Sequence, residues 1–497
     1  MPAEMPDCGR PFFRMEGEYM ELLIPLNSQD PRPLYEQIYQ YIKDEIRCGN
    51  LKPKRQLPSS RELARNLKVS RSTTQLAYEQ LVSEGYLEAI PRKGYFTAEI
   101  DGILPPVSDR ASREQEEDGR TLVTEKWRVD FSPRGIDLES FPFSTWRKIS
   151  RAVLREEEKE LFLKGDPQGD LPLREEIRDY LHGARGVNCQ ADQIIIGAGN
   201  EYLLMLLSQL LGRNSGIAME DPTYVQAYRV LSGMGHTVYP VAMDESGMAV
   251  SELSRLPVRA AYVMPSHQFP TGIVMPVRRR QELLVWANRE PDRYLIEDDY
   301  DSEFRYKGKP IPALQGMDTD GRVIYMGTFS KAIAPAIRVG YLVLPRTLLD
   351  KYRREAMFYS STVSRVDQKI LAQFIGGGYF ERHLNRMREI YKGKHDILLS
   401  ELKPLENRFD IAGEYAGLHV LLTCRKETVE NRLVRAAEKK GVKVYGLSGF
   451  YINKDQKQDT GTIILGYARL DEEKIREGAR LLIRAMDEME RDPDRQV

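Results

Sequence analysis

One stretch of the sequence, residues 98–126, is unsuited to a folded core and therefore divides the chain. It has no apolar periodicity, and it contains the pair Pro105-Pro106 and an acidic run from Glu114 to Asp118. Polar segments of this kind bury too little apolar surface to offset the entropy lost on ordering. We therefore expect a linker at 98–126, a small domain at 31–97 and a large domain at 127–497.

Charge is distributed unevenly between these segments. The whole chain has a formal net charge of -1, whereas residues 31–97 contain twelve Lys and Arg against seven Asp and Glu, a net charge of +5. A basic segment inside a nearly neutral chain is typical of a domain that contacts the phosphate backbone of nucleic acid.

Residues 31–97 have the pattern of three short helices followed by a two-stranded wing. Helices are predicted at 33–47, after a capping serine at 59 or 60, and at 71–83, because apolar residues recur there at spacings of three and four. The wing is predicted at 86–97, around the basic tip Arg92-Lys93. The expected inward residues are Leu34, Ile38, Tyr41 and Ile42 in the first helix, Leu63, Ala64 and Leu67 in the second, and Thr74, Ala77 and Leu81 in the third.

The stretch "GNLKPKRQLPSSRELARNLKVSRSTTQLAYEQLVSEGYLEAIPRKGYF" resembles the winged helix-turn-helix domain of the GntR family. The resemblance implies contacts with a double-stranded DNA operator by Arg61, by Ser70 and Arg71 at the start of the third helix, and by Gly94 in the wing. Thr73 is the expected reader of a base edge.

From residue 127 onward, apolar strand-like runs alternate with amphipathic helices, which predicts an α/β sheet. Such runs occur at 193–196, 261–264, 294–296 and 323–326. In "MGTFSKAIAPAIRVGYLVLP", a strand is followed by Ser330 and Lys331, and Arg338 comes seven residues later. An amine beside hydroxyls and a guanidinium suits an aldehyde-bearing phosphate ester, because the amine forms a Schiff base and the other groups bind phosphate.

Three further segments support this interpretation. Gly199 and Asn200 follow a strand and open a helix, where backbone N–H groups bind phosphate. Asp298 ends a strand and could keep a pyridine nitrogen protonated, while Tyr300 lies two residues on and points to the same side. Tyr224, in "MEDPTYVQAY", is placed to stack on the ring.

Together these segments resemble the fold-type-I, aspartate aminotransferase-like group from residue 127 to the C-terminus, with a smaller C-terminal α+β subdomain that includes "AGLHVLL". The resemblance implies that pyridoxal 5'-phosphate is the cofactor. It assigns the Schiff base to Lys331, phosphate binding to Arg338, the pyridine nitrogen to Asp298, the ring hydroxyl to Tyr300 and ring stacking to Tyr224. His419, within "AGLHVLL", is expected to be a packed structural histidine.

The two resemblances in one chain match the MocR regulators, also called GabR-like, which implies a head-to-tail, domain-swapped homodimer. The chain departs from this pattern where arginines would bind a substrate carboxylate: it has Gln226, Gly449 and Ile464, and Gln268-Phe269 stands before "PTG". These departures argue against an efficient α-amino-acid transaminase. The effector, either an amino acid, an amine or pyridoxal phosphate itself, stays open.

Two other functions stay open beside a cofactor-dependent regulator. One is a working aminotransferase with an accessory DNA-binding domain, and the other is a plain repressor in which the large domain only dimerises. Cys8, Cys48, Cys189 and Cys424 lack the spacing of a zinc site, so no metal is expected. Because the sequence shows neither a signal peptide nor a membrane span, we expect a cytoplasmic protein with no membrane partner.

Overall fold

The computed structural model describes residues 13–16, 19–22, 24–27, 30–99, 127–306, 308, 311–413, 416–426, 429–453 and 460–491. Its internal contacts separate two units, 1–122 and 123–497. Apart from Ala98 and Glu99, the predicted linker at 98–126 lies outside the described residues.

The first unit contains the winged helix-turn-helix that the sequence predicts. Three helices precede an antiparallel pair of strands, and the sequence did not predict a second antiparallel pair nearer the N-terminus. The elements are β1 (Phe13–Glu16), β2 (Tyr19–Leu22), α1 (Leu34–Arg47), α2 (Ser60–Leu67), α3 (Arg71–Ser83), β3 (Leu87–Ile90) and β4 (Gly94–Thr97).

The core of this unit forms where the three helices meet. Ile38 and Ile42 are fully buried, and Ile46 continues their stripe one turn further. The expectation for Leu34 is wrong: as the first residue of α1 it lies beyond the packed turns and is 38% exposed. The serine cap of α2 is Ser59, whose side chain accepts a hydrogen bond from the backbone N–H of Glu62.

The second unit is built on an eight-stranded mixed sheet of order β6-β13-β12-β11-β10-β7-β8-β9. Strands β7, β8, β10, β11 and β12 are parallel neighbours, whereas β13 runs antiparallel to both β12 and β6. Its eight strands are β6 (Ile194–Gly197), β7 (Gly216–Asp221), β8 (Thr237–Asp244), β9 (Gly247–Met248), β10 (Ala260–Val263), β11 (Tyr294–Asp299), β12 (Val323–Thr328) and β13 (Gly340–Val343), and the short strand β5 (Val129–Asp130) lies outside this sheet.

Helices cover both faces of this sheet, so its strands are apolar on both sides. Ile194 and Ile196 join one core cluster, while Ile195 between them joins the other, as the alternation of a strand requires. The helices are α4 (Phe143–Val153), α5 (Leu171–Arg185), α6 (Asn200–Leu211), α7 (Val225–Gly233), α8 (Val250–Leu253), α9 (Val277–Asn288), α10 (Arg346–Glu355), α11 (Arg365–Gly376) and α12 (Tyr379–Leu402).

A smaller α+β subdomain follows, as the sequence predicts. Its sheet has the order β14-β15-β18-β17, and β16 pairs separately with β5. Within the described ranges, no helix combines the length and apolar character needed to cross a membrane. The elements are β14 (Phe409–Ala412), β15 (His419–Cys424), α13 (Glu430–Lys439), β16 (Val442–Lys443), β17 (Tyr445–Gly446), β18 (Thr462–Gly466) and α14 (Glu472–Arg491).

Candidate functional sites

A cavity of about 230 Å³ lies at the carboxyl ends of the central strands of the second unit. Strands β11 and β12 bring Asp298 and Thr328 to it, and the smaller sheet contributes His419. Ligands in open α/β sheets collect at this end of the strands. Seven of the predicted cofactor residues line the cavity: Asn200, Tyr224, Asp298, Tyr300, Ser330, Lys331 and Arg338.

Lys331 comes three residues after the end of β12, and its ammonium donates a hydrogen bond to the carbonyl of Pro133 at 3.1 Å. Burial of the amine lowers its pKa to about 8. Asp301 opposes this shift, whereas the positive charge of Arg134 adds to it. Because only the neutral amine attacks an aldehyde, a lowered pKa makes Lys331 a better nucleophile near neutral pH than an ordinary lysine.

Asp298 and Asp299 are neighbours in β11 but point to opposite sides of the sheet. Asp299 accepts a hydrogen bond from Arg185 Nε at 2.8 Å and another from the Tyr325 hydroxyl at 2.6 Å. Asp298 faces the cavity and has no ion pair among the described residues; the Tyr262 hydroxyl and, at 3.4 Å, Asn200 Nδ2 donate to it. Burial raises the pKa of Asp298 to about 7.

The N-terminus of α6 and the turn after β12 meet at the other end of the cavity. Gly199 has φ +87°, and a Cβ there would lie 2.9 Å from the Arg338 guanidinium. Arg338 itself donates to the carbonyl of Ala198 at 3.1 Å and to the carboxylate of Glu201 at 3.0 Å. The Thr328 hydroxyl donates a hydrogen bond to the Ser330 hydroxyl at 3.1 Å and accepts one from the Ser330 backbone N–H at 3.2 Å.

The two predicted ring-contacting tyrosines stand on the aromatic wall of the cavity. The ring of Phe269 packs edge-on against both, with centroid distances of 6.1 Å to Tyr224 and 6.0 Å to Tyr300. The Tyr300 hydroxyl lies 3.0 Å from His267 Nδ1. Both tyrosine pKa values are raised, in each case chiefly by burial.

Sequence reasoning missed a buried network below Tyr300. His267 Nδ1 also lies 3.0 Å from the Asp301 carboxylate, and His267 Nε2 has no hydrogen-bond partner. His267 precedes "QFPTG" and Asp301 belongs to "EDDYDSEF". Both therefore lie within or beside motifs in which the sequence analysis recognised other residues. His419 is 2% exposed and hydrogen-bonds with the carbonyl of Pro270 at 2.9 Å, and burial lowers its pKa to about 4. Such contacts are those of a packed, neutral histidine.

The residues present fit a cofactor with an aldehyde, an aromatic ring nitrogen and a phosphate. Asp298 is a buried carboxylate without a cation, and Asn200 Oδ1 is buried without a hydrogen-bond partner. Gly199 leaves room where a Cβ would meet Arg338. In the described part of the chain, no group of three or more His, Cys, Asp or Glu is arranged to hold a metal ion.

In the first unit, the predicted DNA-contacting residues gather around the start of α3. Arg61 and Arg71 are both exposed, in the first turns of α2 and α3. Ser70 is the N-cap of α3 and accepts a hydrogen bond from the Thr73 N–H at 3.1 Å. The Thr73 hydroxyl lies 2.7 Å from the Ser70 hydroxyl, so Thr73 can meet a base edge only if this bond is exchanged or shared.

Gly94 opens the second strand of the wing with φ +107°, a conformation that favours glycine. The neighbouring Lys93 is exposed at the tip, and its carbonyl accepts a hydrogen bond from Gln56 Nε2 at 2.7 Å. The wing is therefore anchored to the segment that precedes α2.

Comparisons with known proteins match both domains of the chain. Residues 138–482 match the family described as aminotransferase class I and II, and residues 34–97 match bacterial regulatory proteins of the gntR family. The uncharacterized HTH-type transcriptional regulator YdeL of Bacillus subtilis (strain 168) is 39% identical over 93% of this chain and 99% of its own. The probable rhizopine catabolism regulatory protein MocR of Rhizobium meliloti is 33% identical over 92% of this chain and 94% of its own.

Among solved structures, the second unit is similar to Pyrococcus horikoshii kynurenine aminotransferase, whose crystal structure is a complex with PMP. The TM-score is 0.64 and the sequence identity 26%, over 73% of this chain and 92% of that one. Aminotransferase class I and II domains depend on pyridoxal phosphate. The fold around the cavity is thus one that binds this cofactor in related proteins.

Proposed function

Because the chain belongs to the HTH-type transcriptional regulators that join a gntR-family domain to an aminotransferase class I and II domain, we propose that it is a pyridoxal-phosphate-dependent regulator. Its domain at 31–97 binds a double-stranded DNA operator, its domain at 127–497 binds the cofactor, and residues 98–126 link the two. The observation that carries the proposal is Lys331, an amine of lowered pKa in the same cavity as Asp298 and Arg338.

Each part of the cofactor has a candidate partner. Arg338, Ser330 and the N–H groups at Gly199 and Asn200 would bind the phosphate, with Arg338 releasing Glu201 to do so. Asp298 would bind the ring nitrogen, Tyr300 the ring hydroxyl, and Tyr224 would cover the ring. Lys331 would attach the cofactor covalently. When bound, the cofactor supplies an aldehyde carbon that amines attack and a ring that withdraws electrons.

The protein's own groups prepare these contacts. Because its pKa is raised to about 7, the Asp298 carboxyl is partly protonated near neutral pH. A positively charged ring nitrogen would favour its ionised form. Tyr262 and Asn200 hold its carboxylate in place. The Lys331 amine donates a hydrogen bond to the Pro133 carbonyl, and its ammonium form must lose a proton before it acts as a nucleophile.

Regulation follows if cofactor or effector favours one arrangement of the DNA-binding domains over another. A ligand shifts such an equilibrium only by its difference in affinity for the two states. The effector would be an amino acid, an amine or pyridoxal phosphate itself. In a domain-swapped homodimer two winged helix-turn-helix domains would read two half-sites.

The test begins with absorption spectra of the purified full chain with pyridoxal phosphate, before and after borohydride. We expect a visible band that borohydride abolishes, with the trapped adduct mapping to Lys331. Footprinting of the gene's own upstream region, with and without cofactor, then measures DNA affinity. A trapped adduct at another lysine, or equal DNA affinity with and without the cofactor across candidate effectors, contradicts the proposal. Saturable turnover with a keto acid and no specific footprint would favour the aminotransferase alternative.

A further inference from the structure

Arg134 is the one cation lining the cavity that has no partner among the described residues. Of the other two, Lys331 donates to the Pro133 carbonyl, and Arg338 pairs with Glu201 at 3.0 Å. The Arg134 side chain makes neither an ion pair nor a hydrogen bond within the described ranges, and Arg134 is an exposed residue that lines the cavity.

The position of Arg134 is fixed by the loop that carries it, between β5 and α4. A Cβ at Gly466 would lie 2.3 Å from the Ser132 carbonyl oxygen, and a Cβ at Gly135 would lie 2.5 Å from Arg469 Cβ. The loop is thus packed against the end of the smaller sheet on both sides of Arg134. The guanidinium is close enough to influence both Lys331 and Tyr224 electrostatically.

No acidic residue lining the cavity neutralises this charge. Asp298 is held by Tyr262 and Asn200, Asp301 by His267, and Glu201 by Arg338. A guanidinium with free donors binds a carboxylate by two parallel hydrogen bonds. Among the described residues the cavity therefore offers Arg134 no counter-charge, and a carboxylate carried by a ligand would meet an unpaired guanidinium.

We propose that Arg134 binds the carboxylate of an effector whose amine is directed at Lys331, so that the effector is an amino acid rather than a simple amine. This proposal rests on the proposed function. It assigns carboxylate binding to the β5–α4 loop. Gln226 in the cavity and Ile464 in β18 stand where arginines would bind a substrate carboxylate, and neither carries a charge. The aromatic wall around Phe269 and Phe450, with ring centroids 5.2 Å apart, suits an apolar side chain.

The test uses three probes that share one carbon skeleton: L-leucine, 3-methylbutan-1-amine without the carboxylate, and 4-methylpentanoate without the amine. The cofactor-loaded full chain is titrated with the first two by absorption spectroscopy, and the cofactor-free chain with the third by calorimetry. We expect leucine to bind at least about tenfold more tightly than the amine, and Arg134→Gln to remove this preference. Arg151→Gln, an equal loss of exposed charge on α4, should leave it unchanged.

The two proposals fail separately. If the wild-type chain takes up no cofactor, the proposed function fails, yet 4-methylpentanoate still tests Arg134 because that carboxylate needs no cofactor. If the chain carries the cofactor on Lys331 but Arg134→Gln keeps the leucine preference, or wild type binds leucine and the amine equally, the role of Arg134 is wrong and the cofactor assignment stands. Failure of 4-methylpentanoate to bind the wild-type chain likewise overturns the role of Arg134.

Discussion

The two candidate sites of this chain are built in opposite ways. The candidate DNA-binding surface consists of exposed and partly exposed residues between Arg61 and Gly94, on two consecutive helices and a wing. The cavity collects residues from Pro133 to Phe450 and buries its carboxylates Asp298 and Asp301 almost fully. The exposed surface keeps its charges in water, whereas the cavity changes their chemistry by removing water.

This difference sets what substitutions do. At the candidate DNA-binding surface we expect a lost charge to remove one contact with DNA and to leave the fold intact. In the cavity a lost charge also changes the protonation or the stability of its neighbours. Five predictions test this contrast.

The largest expected effect is at Lys331. Lys331→Ala removes the amine that attaches the cofactor, so covalent retention should be lost completely, as measured by absorption after borohydride treatment and gel filtration. Lys369→Ala, at a partly exposed lysine on α11 that does not line the cavity, should retain the cofactor. Retention by the Lys331→Ala chain would show that another lysine carries it.

The second effect separates two adjacent carboxylates. Asp299→Asn should destabilise the second unit by about 3–5 kcal/mol, because it leaves the buried Arg185 guanidinium without its counter-charge. Asp298→Asn should cost far less in the cofactor-free chain, since Asp298 has no ion pair there among the described residues. Denaturant unfolding followed by tryptophan fluorescence measures this, because all three tryptophans, Trp127, Trp146 and Trp286, lie in the second unit. Equal destabilisation by both changes would contradict it.

The third effect concerns Thr73. Thr73→Ala should reduce discrimination at one base pair by about 1–3 kcal/mol if its hydroxyl reads a base edge. Thr73→Ser keeps the hydroxyl and should keep most of the discrimination. Affinities for operators substituted at each position provide the measurement. A uniform loss over all positions would instead indicate that the hydroxyl serves only the cap with Ser70.

The fourth effect is on affinity and its salt dependence. Arg71→Ala should weaken DNA binding about tenfold and lower the slope of log affinity against log salt by about 1, because one phosphate contact no longer releases a counterion. Arg47→Ala, at the exposed last residue of α1, serves as the control with the same charge change. Identical slopes for wild type and Arg71→Ala would remove α3 from the DNA interface.

The smallest effect is the pH dependence of cofactor uptake. Since the pKa of Lys331 is lowered to about 8, its neutral fraction should rise about tenfold between pH 7 and pH 9 and then level off. A lysine of ordinary pKa would give about a hundredfold rise over the same interval and no plateau. Stopped-flow absorption at a series of pH values distinguishes the two, and the hundredfold rise would show that burial leaves the amine unaltered.

Much of both sites could be predicted because their residues stand in short motifs. The third helix at 71–83, the strand before Lys331 and the helix opening at Asn200 all follow from local spacing, and the structure has them at those positions. His267 and Asp301 were missed although they lie in recognised motifs. Their pairing joins two loops 34 residues apart, and no local pattern specifies such a contact.

The sequence by itself determined the two-part architecture and the helix-turn-helix, and it predicted the residues of the candidate cofactor site, because periodicity, capping and motif spacing act over a few residues. Only the tertiary structure decided which charged side chains form ion pairs. The sequence singled out Arg338 by its motif and gave no sign of Arg134, but the fold pairs Arg338 with Glu201 and leaves Arg134 without a partner among the described residues. Likewise Asp298 and Asp299 are adjacent letters, and the alternation of β11 sends one to the cavity and the other to Arg185. Burial and pairing depend on residues far apart in the chain, so they are fixed only when the chain has folded.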